Sequence, residues 1–195
     1  MKRFTSLLLL LTALLSASCN RTPKPLDPAS AEAVRVQLNI LRDTVAASWS
    51  EMLASDDAKL RDTRQLLREL TAQPGPDRAQ LAQLQYANDR LPGRRYNQLT
   101  MAESARIDAY DAAQDSLLQV VYRLALPADR EPSPMVKELT ARIQAADADL
   151  IAYRVHYDQA VTRFNDYLVE HASELQQLGG AYATLEPLPR FTIGK

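Results

Sequence analysis

The chain has 195 residues, 23 basic and 24 acidic side chains, only 5 glycines and a single cysteine. That length suits one domain. The near-balanced charge excludes a nucleic-acid binder of the usual basic kind, and one unpaired cysteine excludes an intrachain disulfide framework.

The first residues, Met1-Lys2-Arg3, are basic. An apolar run from Leu7 to Leu11 continues through Ala13, Leu14 and Leu15, and Ser16, Ala17 and Ser18 then precede Cys19. This is the order of a secretory signal. The apolar part covers about a dozen residues, short of the roughly 20 needed to span a bilayer as a helix. Leu15-Ser16-Ala17-Ser18-Cys19 resembles a lipobox, although its leucine stands four places before the cysteine rather than three. The expectation is a signal peptide over 1–18 and a diacylated or palmitate-bearing Cys19, anchored to a membrane of the bacterial cell envelope. Two or more acyl chains hold stably where one holds marginally. Cleavage before Cys19 removes Lys2 and Arg3, leaving 21 basic against 24 acidic side chains and a formal charge of −3. Residues 19–28 contain Pro23, Pro25 and Pro28 and read as an extended tether.

The folded part is expected to be all-α over 29–180, because helix-favouring residues dominate and long apolar stripes recur. In the first stretch, Val34, Leu38, Leu41, Val45, Trp49, Met52, Leu60, Leu67 and Leu70 fall at steps of three and four once Asp56 and Thr63 fill the gaps. One uninterrupted helix from about 29 to 73 follows. Asp56 is the exception on that stripe, a carboxylate in phase with buried positions. It must pair with an arginine on a facing helix, or the helix must swing outward there. Pro74-Gly75-Pro76 stops the helix. A shorter helix is expected from Asp77 to Leu91, with Asp77 and Gln80 spaced as a capping box.

After Pro92-Gly93 a third helix is predicted over about 95–126, with Leu99, Ile107, Tyr110, Leu117, Val121 and Leu124 as its stripe. Ser133 and Pro134 then start a last helix to Leu178, closed by Gly179-Gly180. Its stripe contains Leu139, Ile143, Leu150, Tyr157, Val161, Phe164, Leu168, Leu175 and Leu178. Two long helices and two shorter ones make an elongated antiparallel bundle. Residues 181–195, with Pro187 and Pro189, read as an irregular tail.

Two segments resemble the LemA family of helical bacterial envelope proteins. The first is Asn39-Ile40-Leu41-Arg42 leading through Val45 to Ser48-Trp49-Ser50. The second is Arg154, then Tyr157-Asp158-Gln159-Ala160-Val161 and Phe164-Asn165, with Pro189 and Phe191 near the end. Asp158 and Phe164 stand where that family has Asn and Tyr, the family's proline in the first helix is missing, and its members begin with a transmembrane helix. The resemblance implies an extended envelope bundle and brings no catalytic motif.

A search for chemistry finds little. His156 and His171 lie about four helical turns apart, roughly 22 Å, too far to share an ion. Neither has a glutamate three residues before it, as a di-iron bundle requires. No glycine-rich phosphate loop and no nucleophile elbow is present. Asp108, Asp111 and Asp115 share one helix face, which reads as a solvated face, with a site for a cation or basic partner as the alternative. Tyr153, Tyr157, Phe164 and Tyr167 read as core, with hydroxyls reaching partners such as Asn165. The expectation is therefore a protein that is not an enzyme, has no cofactor or metal, and binds an envelope protein through its bundle surface. A lipid or other apolar ligand held between the helices is the alternative. A convergent cluster of acids and arginines in a cleft would favour an enzyme instead.

Overall fold

The computed structural model describes residues 30–191; the expected signal peptide, Cys19 and the expected tether lie outside the described residues. Five α-helices are present, with no strand among the described residues: α1 (Ala31–Thr71), α2 (Arg78–Arg90), α3 (Ser104–Ala125), α4 (Pro134–Glu170) and α5 (Ala172–Leu178). The architecture is the expected all-α antiparallel bundle, built on α1 and α4. At 1.5 Å per residue, α1 with its 41 residues is roughly 62 Å long.

The helix starts follow from local chemistry. The Ser30 hydroxyl accepts from the Ala33 amide, Asp77 from Ala79, and Ser133 from Val136. Each satisfies an amide that has no partner within its helix. At the first turn, Gly75 has φ 120°, a backbone conformation that costs an L-residue dearly. Arg130 closes this end by donating to the Pro74 carbonyl at 2.8 Å.

The stripe on α1 is buried from Val34 to Leu70, and Leu139, Ile143, Tyr157, Val161 and Phe164 face it from α4. The pair is held in register by side chains of known reach: Lys59 meets Asp147 and Trp49 packs on Tyr157, while Arg142 pairs with Asp62. The α2–α3 hairpin covers the pair over one half of its length. Arg64 to Asp89 and the buried Asn88, whose Nδ2 donates to the Leu60 carbonyl at 3.2 Å, fasten α2 to α1.

Two expectations need correction, and a third, the irregular tail, holds with an addition. The third helix does not begin at residue 95. Residues 95–103 form a connection with a short 3-10 turn at Thr100–Ala102. Leu99 is 80% exposed rather than part of a buried stripe. The physical reason is Asn97, whose Oδ1 accepts from the amides of Leu99 and Thr100, while the Thr100 hydroxyl accepts from the Asn97 amide. These side-chain bonds occupy groups that a helix would use.

The last long helix also breaks, at His171, where φ is −111° and ψ 26°; α5 carries on beyond it. Hence there are three shorter helical pieces beside α1 and α4 in place of two. Finally, residues 179–191 are irregular but docked. After a 3-10 turn at Gly180–Tyr182, the chain runs back along α4, and Tyr182, Leu185, Leu188 and Phe191 pack on the core. Asn165 holds the Leu188 backbone at both its amide and its carbonyl, and Asp158 accepts from the Phe191 amide at 2.8 Å. This tail fills the half of the α1–α4 groove that the hairpin leaves open.

Candidate functional site

The hairpin and the tail meet at mid-length, and the molecule's most unusual chemistry lies there. Five aromatic rings, one from each of five segments, are in contact. Tyr96, in the connection before α3, meets Trp49 of α1, Tyr110 of α3 and Phe191 of the tail at centroid distances of 6.1, 5.9 and 5.9 Å. Tyr157 of α4 lies between Trp49 at 5.2 Å and Phe191 at 5.6 Å. The tilted and edge-on geometries are those that ring quadrupoles favour. Arg154 lies over the Phe191 ring at 5.1 Å, a cation–π contact.

A charged network continues from the rings toward the hairpin. Asp56 is at its centre. Its Oδ2 accepts from the Tyr110 hydroxyl at 2.5 Å and sits 2.6 Å from the Arg95 guanidinium, while Oδ1 accepts from Gln114 at 2.7 Å. Arg95 also donates to Asp57 at 2.6 Å. Lys59, 3% exposed, donates to Asp147 at 3.0 Å and lies 4.0 Å from Asp56. Arg154 Nη2 donates to both oxygens of Asp111 at 2.8 Å and to the Tyr96 hydroxyl at 3.2 Å.

Asp56 is thus paired with an arginine, as one of the two alternatives required, but Arg95 comes from a connection and not from a facing helix. Asp111 corrects another expectation. Of the three acids at helical spacing, Asp108 and Asp115 are exposed, whereas Asp111 turns inward onto Arg154.

Burial sets the electrostatics. It raises Asp111 above the ordinary carboxylate range, even though Arg154 pulls the other way. Burial opposes charge on Arg95 as well, but Tyr110, Asp57 and Asp56 outweigh it and the guanidinium stays firmly protonated. Burial likewise pushes up Tyr110, and drives Tyr122 and Tyr157 to about 12. A phenol raised in the folded state stabilises fully below its unfolded value of 10.0, and that contribution disappears as pH climbs through about 12. Alkaline titration followed by phenolate absorbance should therefore show a class of tyrosines that ionise late, together with helix loss above pH 10. All eight tyrosines ionising together near pH 10 in a still-helical protein would contradict the burial described.

The space inside this network is small. The gap lined by Met52, Asp56, Tyr110, Asp111, Gln114 and Arg154 measures about 10 Å³, room for about one water. A second gap between α1 and the hairpin, beside Lys59 and Asn88, is closed. An apolar ligand between the helices would require them to part. The buried Arg154 Nε and Asn88 Oδ1 have no hydrogen-bond partner among the described residues, and Arg154 lines the gap that has room for about one water.

The histidines stay apart. His156 is exposed, and His171 packs on Tyr167 at 4.2 Å with Nδ1 3.7 Å from Glu174. Tyr157 and Phe164 are buried, while Tyr153 and Tyr167 are half-buried. The Tyr157 hydroxyl points to the Pro189 carbonyl at 3.4 Å, whereas Asn165 serves the tail backbone instead. Among the described residues no group of three or more His, Cys, Asp or Glu side chains is placed to hold a metal ion, and no helix is long and apolar enough to cross a membrane. Cys19, the expected lipidation site, lies outside the described residues.

Comparison with known proteins finds no matching family, no similar curated protein and no similar solved structure.

Proposed function

We propose that the chain is a lipid-anchored helical-bundle protein of the bacterial cell envelope, a non-catalytic interaction or scaffold protein. The observation that carries this reading is the self-sufficiency of the central cluster. Acids and arginines do converge at mid-length, the arrangement that would favour an enzyme. Yet Asp56, Asp57, Asp111 and Asp147 each already hold a cation, and the gap beside them has the volume of about one water. Among the described residues, no cleft large enough for a substrate opens onto these acids. The signal-like segment ahead of Cys19 supports the anchor, and the formal charge of −3 after cleavage favours protein partners over nucleic acid.

The filled interior gives the apolar-ligand alternative no specific support. The LemA resemblance is kept as part of the proposal. Its support is that Trp49, Tyr157 and Phe191, three residues that carry it, meet in one cluster, and that Asn165 binds the tail beside them.

The test has two arms. Metabolic labelling with a palmitate analogue should mark the wild type and leave Cys19→Ala unmarked; label persisting in that variant removes the anchor from the reading. Crosslinking in intact cells should capture a defined envelope protein. Recovery of bulk envelope proteins alone removes the scaffold role.

A further inference from the structure

The tail is held unlike any other part of the fold. Leu185, Leu188 and Phe191 pack on the core, and they stand at every third position. That is the repeat of a polyproline II segment, which has three residues per turn and no internal hydrogen bonds. Pro187 and Pro189 lie within it, and residues 185–191 form neither helix nor strand. One row of α4 side chains grips the far end. Asn165 exchanges two hydrogen bonds with the Leu188 backbone, at 2.8 and 2.9 Å. The Thr162 hydroxyl accepts from Arg190, Asp158 accepts from the Phe191 amide, and Arg154 covers the Phe191 ring. Arg154, Asp158, Thr162 and Asn165 follow one another at steps of four, four and three, so they form a single ridge of the helix. The Phe191 ring meets Tyr96 and Tyr157 edge-on, and Trp49 contacts both tyrosines. An aromatic-lined groove that holds a proline-flanked extended segment is a known form of peptide recognition.

We propose that this groove is a recognition site for a proline-containing extended segment of a partner protein, and that the chain's own tail is its resident competitor. The grip says which segment fits. Its shortest bonds fall on backbone atoms, which hold any extended chain, while side chains three apart supply the specificity. The first position needs an amide and an apolar side chain, the fourth an amide and an aromatic ring. The second accepts proline, and its carbonyl receives only a long 3.4 Å bond from Tyr157. The tail leaves room for a better occupant. No side chain from 181 to 191 is fully buried, although Tyr157 beneath them is 0% exposed, and the Arg190 bond to Thr162 is also 3.4 Å. The joint to the bundle is Gly179–Gly180, with φ 67° and 54° and no atom within 4 Å of where either side chain would stand, so the tail can swing away as a unit. A second copy's tail does not displace it. That tail makes the same contacts without the effective concentration, about 1 mM, that a short link gives the chain's own. The proposal rests on the interaction reading above and deepens it, naming the surface and the chemistry of the partner.

The experiment is the fluorescence anisotropy of a labelled synthetic peptide, residues 184–192 of the chain, with the full chain in detergent. Phe191→Ala loosens the tail and keeps the row, so it should bind the peptide at least about tenfold more tightly than the wild type, whose groove is filled. Adding Asn165→Ala should remove that gain, with helix content unchanged in both variants. Peptides carrying Leu188→Pro or Phe191→Ala should fail to bind, while one carrying Pro189→Ala should bind within about threefold. A second measurement needs no variant. Excess peptide, about 5 mM, should speed hydrogen exchange at the Leu188 amide of isotope-labelled wild type while α1 keeps its protection. Equal binding by wild type and Phe191→Ala, no binding by either, indifference to Asn165→Ala, or a Leu188 amide that stays protected overturns the proposal. A wild type that sediments as a dimer and becomes a monomer in Phe191→Ala also overturns it, because tails are then exchanged between copies. The crosslinking test above is separate: an envelope protein captured by a chain whose groove takes no peptide moves the contact to another surface and leaves the scaffold role standing.

Discussion

Replacing Asp56 with alanine should lower the free energy of unfolding by about 3 kcal/mol or somewhat more, the range expected when one partner of a buried charge pair is removed. The carboxylate receives the Tyr110 hydroxyl, the Gln114 amide and the Arg95 guanidinium within 2.7 Å. Alanine strands the Tyr110 hydroxyl and the Gln114 amide and takes one of two carboxylates from Arg95. The loss is held toward the lower end because Arg95 keeps Asp57 and Lys59 keeps Asp147. The control is Asp57→Ala. That side chain is half exposed, so solvent screens it and the cost should stay under about 1 kcal/mol. Urea unfolding of the two variants decides the matter; similar midpoints would mean that the network does not depend on Asp56. Converting Asp56, Arg95, Tyr110 and Gln114 together to apolar residues of similar volume should cost far less than Asp56→Ala alone. A satisfied buried network adds little net stability over a packed apolar one. What the network contributes is placement: it fixes the connection that carries Tyr96 onto Trp49.

The long elements were legible because each carries its own period. The steps of three and four from Val34 to Leu70 describe a face, and Pro74-Gly75-Pro76 an end, without reference to any other part of the chain. The helix starts at Asp77 and Ser133 were equally local. The central site was not, since it is assembled from partners far apart in sequence. Asp56 was visible as an anomaly on its stripe, but nothing in the spacing of apolar residues points to Arg95. Arg95 reaches it only because the preceding turn and the Asn97–Thr100 bonds keep that stretch out of a helix. The pairing of Asn97 with Thr100 was the overlooked signal. The break at His171 carries no proline or glycine to announce it. The tail defeats periodic reading for another reason: Leu185, Leu188 and Phe191 follow neither a helical nor a strand repeat around Pro187 and Pro189. Their burial depends on a groove that is open only because the hairpin stops short.

That dependence gives the second large effect. Tyr157→Ala should cost about 3–5 kcal/mol, the usual range for deleting a buried aromatic side chain. Tyr157 is fully buried between Trp49 and Phe191, so its removal leaves a cavity where α1, α4 and the tail meet. Tyr157→Phe removes only a long 3.4 Å bond to the Pro189 carbonyl and should cost no more than about 1 kcal/mol. Stability alone would not separate loss of core from loss of the tail's anchor. Hydrogen exchange does. The Leu188 and Phe191 amides are bonded to Asn165 and Asp158 on α4, and their exchange reports tail opening rather than global unfolding when it runs faster than exchange in α1. In Tyr157→Ala these two amides should lose protection first, at denaturant concentrations where α1 remains intact, while Tyr157→Phe keeps them protected. If both variants exchange like the wild type at Leu188 and Phe191, the aromatic cluster is not what holds the tail, and the Asn165 and Asp158 bonds suffice by themselves.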